Sequence, residues 1–564
     1  MGIVVASNLS ATPSQPLNGP PEWTGTPNPV WIAGIGGTYN LADDTTDPED
    51  DALTFVKTTG SWPTGVSMDS SGLITATGAV VEGVTGGITV TVEDGLNPPV
   101  ASSSFVITVN AASAGTFPRL GVYQIGNWGV NMVNNIPGGL TGRAERIAKH
   151  DLAIIGTWKQ WAYDEADATK DGTNLALYIK SFNANIVLYK YENVIEINVG
   201  SSQLDEHVSK RNKADSEHNL TGDWWLRTSI GDKTSSWPGA DRVNHSDAVD
   251  VDANGLTYAQ WHALCHYYDE GENPGEDYDI DGYGVKKAYG WDGIYFDVMD
   301  WDARVTADWD EDGDDEPQHE TEAVDRMTTG HIDAINAWKT LEPDFKYAGN
   351  YAVNVRQNEY SSVPARLFDA VNGPLFEHAL KTEGWGGTNE FLAQMKLLMT
   401  FSTGLDPRHE FIDASNQNEQ PVTHSLSDWC RYGLCMTMLD DGYFGMRRSP
   451  AESDDCVVIN EYDIDVGVAI DPPDYGATSS GYNDYQLGVY KREFADGLVL
   501  LNPKGNGERT VSLPSAGAGF QWDRLGAADF TEAVEDSDVN DGATNITSQT
   551  LPERHGIIIK RVAV

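Results

Sequence analysis

The sequence predicts three folded parts: a small all-β sandwich, a central (β/α)8 barrel and a C-terminal antiparallel β-sandwich. The chain has 564 residues, too many for one ordinary domain. Short alternating runs separated by turns occupy 28–112. Strand-like and helix-like segments then alternate over 116–448, and strand patterns without long helices return over 449–564. These three changes of pattern predict a multidomain chain.

The first part combines an arm with a sandwich. Residues 1–27 are rich in Pro, Ser, Asn and Gly, which predicts a tether or arm. The segment 28–112 contains runs such as Ile88–Val92 and Ser104–Val109, which are typical of sandwich strands. The same segment contains Asp47–Phe55, Pro63–Met68 and Ser71–Thr75. Through these runs it resembles the immunoglobulin-like and cadherin-like modules of bacterial and phage surface proteins, which are usually spacers or adhesive repeats.

The barrel is predicted from eight short apolar runs with helical patterns between them, such as Glu390–Met399 and Ser427–Met438. The long segment between the third and fourth runs is expected to be a loop insertion that shapes a cleft. The eight predicted strands are Leu120–Tyr123, Leu152–Ile155, Asn185–Tyr189, Gly293–Asp297, Phe345–Ala348, Leu375–Phe376, Glu410–Asp413 and Gly442–Gly445.

The C-terminal sandwich is predicted from strand runs without long helices between them. These runs are Leu487–Tyr490, Gly497–Leu501 and His555–Ile559. Asn502 and Pro503 are turn-forming residues that punctuate the pattern.

Composition excludes several classes of partner. The formal net charge is −48, from 37 basic and 85 acidic residues, and such a surface repels nucleic acids and anionic membranes. Aromatic residues make up 10% of the chain and include 17 Trp and 23 Tyr. Flat rings of this kind stack on sugar faces in carbohydrate-active proteins, although any single ring is as readily a core residue.

The cysteines and the N-terminus indicate the setting. The four cysteines fit no zinc spacing and are expected to be buried free thiols. We expect no membrane span, because no apolar run approaches the roughly 20 residues needed. The N-terminus lacks the basic and apolar regions of a signal peptide. These features predict a cytoplasmic protein, a mature form, or a protein released by lysis, such as a virion part.

Two carboxylates are candidate catalytic residues. Asp297 follows the apolar run Ile294–Phe296 at the point where a barrel strand would reach the catalytic edge. Glu377 follows the predicted sixth strand, and Glu383 is a reserve candidate. Two carboxyl groups flanking a glycosidic bond are the usual requirement for its hydrolysis. We expect Asp297 and Glu377 to face one another across the barrel mouth; the alternatives are a helix cap and a surface loop acid.

Three acidic segments match the first half of an EF-hand calcium loop, D-x-D-x-D-G. The segment 308–314 is the preferred calcium site, with Asp308, Asp310, Asp312 and Asp314 as ligands. The segments 277–282 and 250–255 repeat the pattern. All three lack the closing Glu of a true EF-hand, and a chain this acidic also produces such matches by chance.

Polar and aromatic residues in the insertion and near the predicted strand ends are candidate substrate-binding residues. Rings there would stack on sugars, while Lys and Asn would bond hydroxyl groups; packing in the core is the alternative for each one. The candidates are Tyr123, Trp158, Lys190, Tyr191, Trp225, Arg227, Asn350, His378, Trp385 and Asp413.

Four segments carry a further resemblance: Trp225–Asp247, Trp291–Asp314, Arg431–Phe444 and Val489–Pro503. Together they resemble a family of glycoside hydrolases with a (β/α)8 barrel and a C-terminal β-sandwich, distantly like the α-galactosidase and α-amylase types. The resemblance implies Asp297 as nucleophile or base and Glu377 as acid. Where the family pattern often has Asn after the strand-four acid, this chain has Val298.

The sequence thus leaves two hypotheses. One is a glycosidase acting on a polysaccharide, in an extracellular or virion-associated setting such as a phage-tail depolymerase. Its N-terminal arm and module would then contact other virion proteins. The other is a non-catalytic carbohydrate-binding or structural protein. The only cofactor expected is Ca²⁺.

Overall fold

The structure of the protein is a computed structural model that describes the chain in separate ranges. They are residues 19–27, 29–32, 37–49, 51–76, 83–110, 117–124, 144–156, 175–198, 224–235, 239–246, 248, 251–252, 254–268, 285–299, 305–318, 320–350, 367, 370–377, 409, 411–413, 426–446, 459–470, 484–503, 505–530 and 539–564.

The chain divides into two compact units, 1–114 with 468–472, and 115–467 with 473–564. In the first unit, a five-stranded sheet has the order β2-β10-β8-β5, with β9 beside β8. A three-stranded sheet has the order β3-β7-β6, and β1 pairs with β4. The strands are β1 Glu22–Trp23, β2 Val30–Ile32, β3 Gly37–Asn40, β4 Thr45–Thr46, β5 Thr54–Thr59, β6 Val66–Met68, β7 Leu73–Ala76, β8 Gly83–Glu93, β9 Val100–Ala101 and β10 Phe105–Asn110.

One hydrophobic core joins the two larger sheets of this unit. Phe55 and Val90 come from the five-stranded sheet and Ile74 from the three-stranded sheet, and all three are buried in the same cluster. Two sheets that share a core form a β-sandwich. The immunoglobulin-like assignment stays a prediction.

The arm predicted for 1–27 is wrong for residues 19–27. Trp23 lies in a strand that pairs with Thr45, and its indole Nε1 donates to the Val100 carbonyl at 3.1 Å. Its ring also packs edge-on against Phe55, with ring centroids 6.1 Å apart. Burying this large ring is more favourable than leaving it in a solvated tether.

In the second unit, eight parallel strands follow one another in chain order around a barrel. A parallel bridge between Leu120 and Phe444 joins the last strand to the first and closes the ring. The predicted barrel of eight parallel strands is therefore confirmed. Its strands are β11 Gly121–Gln124, β12 Leu152–Ile155, β13 Val187–Glu192, β16 Gly293–Phe296, β17 Lys346–Gly349, β18 Gly373–Glu377, β19 Phe411–Asp413 and β20 Tyr443–Gly445.

Helices lie between these strands, and the α-helices with both ends among the described residues are α1 Leu175–Phe182, α2 Tyr258–Tyr267, α3 Thr321–Leu341 and α4 Leu426–Met438. The predicted helix Glu390–Met399 lies outside the described residues. None of the described helices is both long and apolar enough to cross a membrane. The insertion between β13 and β16 contains α2 and the antiparallel ribbon of β14 Glu196–Asn198 and β15 Ala240–Arg242.

Glycine at 293 is required by close packing at the start of β16. A Cβ atom there would lie 2.1 Å from the Lys346 carbonyl oxygen and 2.7 Å from the Tyr189 ring. The barrel core is rich in tyrosine and is filled by Tyr123, Leu152, Ile154, Tyr189, Tyr191, Tyr295, Ala348, Leu375 and Phe411.

The C-terminal part has a four-stranded antiparallel sheet of order β21-β22-β26-β24 and the antiparallel pair β23-β25. Leu500 of the larger sheet and Val511 of the pair are buried in one core, so this part is a second sandwich. The predicted strand Leu487–Tyr490 is wrong at its start, because Leu487 has a φ of 54° and lies in a turn. The strands are β21 Tyr490–Phe494, β22 Gly497–Asn502, β23 Arg509–Ser512, β24 Phe520–Arg524, β25 Ser548–Leu551 and β26 His555–Ala563.

Buried charged contacts join this sandwich to α4 and the loop after it. Arg431 of α4 forms an ion pair with Glu461, and both side chains are buried. Arg492 of β21 donates to the Met438 carbonyl at 3.2 Å and forms an ion pair with Asp441. Cys265, Cys430 and Cys435 are buried free thiols, as expected.

Candidate active site

Asp297 lies directly after β16, at the carboxyl end of the barrel strands. Its main-chain N–H donates to the Glu192 carbonyl at 2.8 Å, so the register of strand three continues into this position. The residue is half-buried, while the strand before it is fully buried. This edge is the catalytic face of (β/α)8 barrel enzymes.

Side chains from the two neighbouring strands orient the Asp297 carboxylate. The Tyr191 hydroxyl of β13 donates to Oδ2. The Asn350 amide, directly after β17, donates to Oδ1 at 3.0 Å. The main-chain N–H of Val298 donates to the same Oδ1 at 2.9 Å. The structure therefore brings three residues predicted from the sequence, Asp297, Tyr191 and Asn350, into one hydrogen-bonded group.

Val298 has a strained backbone next to this carboxylate. Its φ is 56°, in the left-handed region that β-branched residues rarely adopt. Its side chain is 6% exposed. Strain of this kind persists only where the surrounding structure fixes it, and it concentrates at functional sites. Val298 is thus a backbone outlier directly beside the Asp297 carboxylate.

A layer of tyrosine rings lies in the barrel beside the carboxylate. The Tyr295 ring centroid is 5.6 Å from that of Tyr123 and 5.7 Å from that of Tyr191. Tyr123 is only 1% exposed. The expectation that Tyr123 offers an open face to a sugar is therefore wrong, because its ring packs in the barrel core.

Glu377 and Asp413 end neighbouring strands and are paired in register. Their side chains lie outside the described part of the structure. Strand five separates strand four, which Asp297 follows directly, from strand six, which ends at Glu377, and the expectation that the two carboxyl groups face one another stays a prediction. The predicted residues Trp158, His378, Glu383 and Trp385 also lie outside the described residues.

Lys190 does not accompany Asp297 and Tyr191. Its ammonium group is buried and donates to the Tyr191 carbonyl at 2.8 Å and to Glu192 at 3.2 Å. Strand three continues to Glu192, so Lys190 lies within it and alternates with the core residues Tyr189 and Tyr191. The prediction of Lys190 as a sugar contact is wrong for this reason.

Trp225 and Arg227 lie in the insertion, beside the acidic loop. Trp225 is buried, with the Lys233 ammonium 3.8 Å from its ring centroid. Arg227 donates from Nη1 to the Gly231 carbonyl at 2.6 Å, and its own carbonyl accepts from the Asp308 N–H at 2.9 Å. These contacts give both residues a packing role in the insertion.

The acidic loop gathers carboxylates, in a set that differs from the predicted one. Oxygens of Asp308, Asp310, Asp312 and Glu316 lie within 4.8 Å of one another. Asp314 is not in this group, and Glu316 takes the fourth place. Burial first, and then the negative charges of Asp310 and Asp308, raise the pKa of Glu316. The signal that was missed is Glu316, a carboxylate three residues beyond Gly313.

Of the other two segments that match the calcium-loop pattern, the structure describes residues of only one. In 250–255, Asp252 accepts hydrogen bonds from the main-chain N–H groups of Asn254 and Leu256, at 2.8 and 2.9 Å. That pattern is a side-chain-stabilised turn. The segment 277–282 lies outside the described residues.

Sequence reasoning missed a third group, formed by Glu192, His262 and His266. The two histidines are four residues apart on α2 and therefore share one helix face. That H-x-x-x-H spacing was visible in the sequence. Their contact with Glu192 was not visible, because Glu192 lies in a strand seventy residues before His262.

Comparisons with known proteins do not establish the fold, which is assigned from the order of the barrel strands. No protein-family model matches the sequence, and no curated protein matches it. Among solved structures, the chain is similar to a Bacteroides fragilis protein with a proposed α-galactosidase activity: 11% identity, 97% of this chain and 98% of the other covered, TM-score 0.35.

Two further solved structures show a comparable level of similarity. The glycoside hydrolase domain of PelA from Pseudomonas aeruginosa is 10% identical. The match covers 60% of this chain and 98% of that domain, with a TM-score of 0.33. An α-amylase from Malbranchea cinnamomea is 11% identical. The match covers 78% of this chain and 96% of the amylase, with a TM-score of 0.38. TM-scores this low do not establish a common fold, so the barrel rests on its eight parallel strands.

Proposed function

We propose that the protein is a glycoside hydrolase acting on a polysaccharide, with Asp297 as a catalytic carboxylate. The observation that carries the proposal is the half-buried Asp297 at the carboxyl end of barrel strand four, oriented by Tyr191 and Asn350. A fixed carboxylate at this edge suits attack on an anomeric carbon or activation of water.

Glu377 is the proposed general acid, which would protonate the leaving oxygen. Its support is its position at the end of strand six, two residues beyond the core residue Leu375. A separation of about 5–5.5 Å between the two carboxyl groups would give retention of configuration, and about 6.5–9.5 Å inversion. NMR of the first product anomer distinguishes the two outcomes.

The test is hydrolysis of a polysaccharide panel, measured as released reducing ends. Asp297→Asn should lower kcat by roughly 10²–10⁴-fold, the usual contribution of acid–base catalysis. Asp292→Asn is the matched control, because it removes a carboxylate from the opposite end of the same strand, where Asp292 forms an ion pair with Lys180. Full activity in Asp297→Asn would contradict the proposal. Glycan-array binding without any released reducing ends would favour the non-catalytic alternative.

A calcium ion at the acidic loop is part of the proposal. Its support is the group of Asp308, Asp310, Asp312 and Glu316, since hard cations prefer several carboxylate oxygens. Calorimetric titration with CaCl₂ tests it through two variants. Glu316→Gln should weaken binding, whereas Asp314→Asn should leave it nearly unchanged. Equal behaviour of both variants would contradict the ligand set.

We also propose an extracellular or virion-associated setting. The support is the small β-sandwich that precedes the barrel, which resembles modules of bacterial and phage surface proteins. Immunodetection in culture medium and in purified particles tests it. Absence from both would remove this part of the proposal.

A further inference from the structure

A cluster of ionisable side chains includes Glu192 of strand three. Along this strand, Lys190 and Glu192 alternate with the barrel-core residues Tyr189 and Tyr191. The His266 Nδ1 atom is 2.8 Å from Glu192 Oε1, and the His262 Nε2 atom is 3.8 Å from Glu192 Oε2. The two imidazole rings are stacked, with centroids 4.4 Å apart and planes 24° apart. Two ring nitrogens and one carboxylate thus converge within 4.8 Å.

These three side chains are almost fully removed from solvent. His262 is 0%, His266 1% and Glu192 2% exposed. The helix that carries the histidines begins with a reciprocal cap: Gln260 N–H donates to the Thr257 hydroxyl, and Thr257 N–H donates to the Gln260 side chain. The cap fixes the first turn, so both imidazoles are presented on one face toward strand three.

We infer that Glu192, His262 and His266 form a buried site for a divalent transition metal ion, with zinc the ion that the donors favour. Two imidazole nitrogens and one carboxylate oxygen are a common zinc ligand set, whereas calcium and magnesium prefer oxygen alone. Because the ligands are buried, the role is structural. The ion would connect α2 of the insertion to strand three.

This site adjoins the Asp297 group through the main chain. The carbonyl of Glu192 accepts the Asp297 N–H at 2.8 Å, and the residue before Glu192 is Tyr191, whose hydroxyl donates to the Asp297 carboxylate. A metal that fixes Glu192 therefore also fixes the end of strand three beside Asp297. The inference does not depend on the proposed hydrolase activity.

Lys190 is the group that opposes the metal. Its ammonium nitrogen is 3.2 Å from Glu192 Oε1 and 2.8 Å from the Tyr191 carbonyl. A metal ion and this ammonium group share one carboxylate, so their like charges repel. Replacing Lys190 with a neutral side chain of similar length should therefore tighten metal binding, by at least about tenfold given the strength of charge interactions at this range.

The experiment uses the full-length chain, stripped of metal by chelation and titrated with ZnCl₂ in excess CaCl₂, which is added to saturate the proposed calcium site. Elemental analysis should find about one zinc per chain at neutral pH. His266→Gln should weaken zinc binding at least tenfold. The matched control is His331→Gln, which changes another buried histidine, whose ring centroid is 4.8 Å from that of His245, and should bind zinc like the unaltered chain.

Two further measurements keep the inference testable if His266→Gln does not fold. Cobalt in place of zinc should give the visible absorption of a low-coordinate nitrogen–oxygen site. Lys190→Met should bind zinc more tightly than the unaltered chain. No zinc uptake by the unaltered chain would show that the cluster is a metal-free hydrogen-bonded network. Zinc uptake whose affinity does not change in Lys190→Met would place the ion away from Glu192 and would also overturn the inference.

Discussion

The hydroxyl of Tyr191 donates a hydrogen bond to the carboxylate of Asp297 across two neighbouring strands of the barrel. One strand provides the acid and the other its donor, and their register places the two residues at the same edge. Asn350, directly after the next strand, β17, donates to the other carboxylate oxygen at 3.0 Å. The orientation of Asp297 is therefore fixed from both sides.

Tyr191→Phe should lower kcat/KM on a polysaccharide substrate by roughly tenfold to a hundredfold. A hydrogen bond to a charged group is worth about 1.5–3 kcal/mol, and each 1.4 kcal/mol is a factor of about ten in rate. Steady-state kinetics measure the change. Tyr295→Phe is the control, because Tyr295 belongs to the same ring layer. An equal loss in both variants would indicate a general packing effect.

Gly293→Ala should destabilise the barrel by about 2–4 kcal/mol, because the added methyl group has no room. The new Cβ atom would lie 2.1 Å from the Lys346 carbonyl oxygen, which is main chain and cannot turn aside. Thermal unfolding measures the loss as a lower Tm. Gly25→Ala should leave Tm nearly unchanged, since nothing lies within 4 Å of its added carbon. An unchanged Tm in Gly293→Ala would contradict the packing described at strand four.

Stability should fall as the pH is lowered from about 6.5 to about 4, partly through His409. Burial, with the charges of Lys346 and Arg119, lowers the pKa of His409 from 6.5 to about 4. The unfolded chain therefore binds the proton more readily than the folded chain in this window, so stability is retained above it and lost through it. The loss from this one residue is up to about 3 kcal/mol.

Urea unfolding at several pH values measures that dependence. His409→Gln should show a shallower fall between pH 6.5 and pH 4, the two pKa values that bound the window. An amide can still bond the Tyr189 hydroxyl, which lies 2.6 Å from His409 Nδ1. The same slope in the variant and the unaltered chain would show that His409 does not contribute.

Arg431→Met should destabilise the second unit by about 3–5 kcal/mol, since it leaves the Glu461 charge buried without its cation. Glu461→Leu should cost less, because Arg431 still pairs with Asp428 at 3.1 Å. Arg431 and Glu461 form a buried ion pair, and Glu461 also accepts from Asn540 at 2.9 Å. The double variant should lose less than the sum of the two single variants. Chemical unfolding of the four proteins completes the cycle, and additive losses would contradict a direct interaction.

Local pattern was sufficient to find the strands of the barrel. Apolar runs such as Leu152–Ile155 coincide with an observed strand, and Gly293–Asp297 ends one residue beyond its strand. Such runs are distinctive because parallel strands are buried on both faces. Asp297 and its neighbours Tyr191 and Asn350 could be found for the same reason, since strand ends in a barrel meet at one edge.

Strand three shows where the pattern was not sufficient. The predicted strand ended at Tyr189, whereas the observed strand continues to Glu192. A residue just past a strand end can turn toward the cleft, but a residue inside the strand must alternate. Lys190 therefore points away from the core and joins Glu192, rather than the Asp297 group.

The sequence alone determined the order of strands and helices, the barrel class and the strand-end position of Asp297, because these follow from short-range periodicity. Only the tertiary structure decided which side chains meet. Glu192 joins His262 and His266, and Glu316 replaces Asp314 beside Asp308, through chain folding that brings distant or turned residues together. Periodicity is a property of neighbours in the chain, whereas a binding site is a property of neighbours in space.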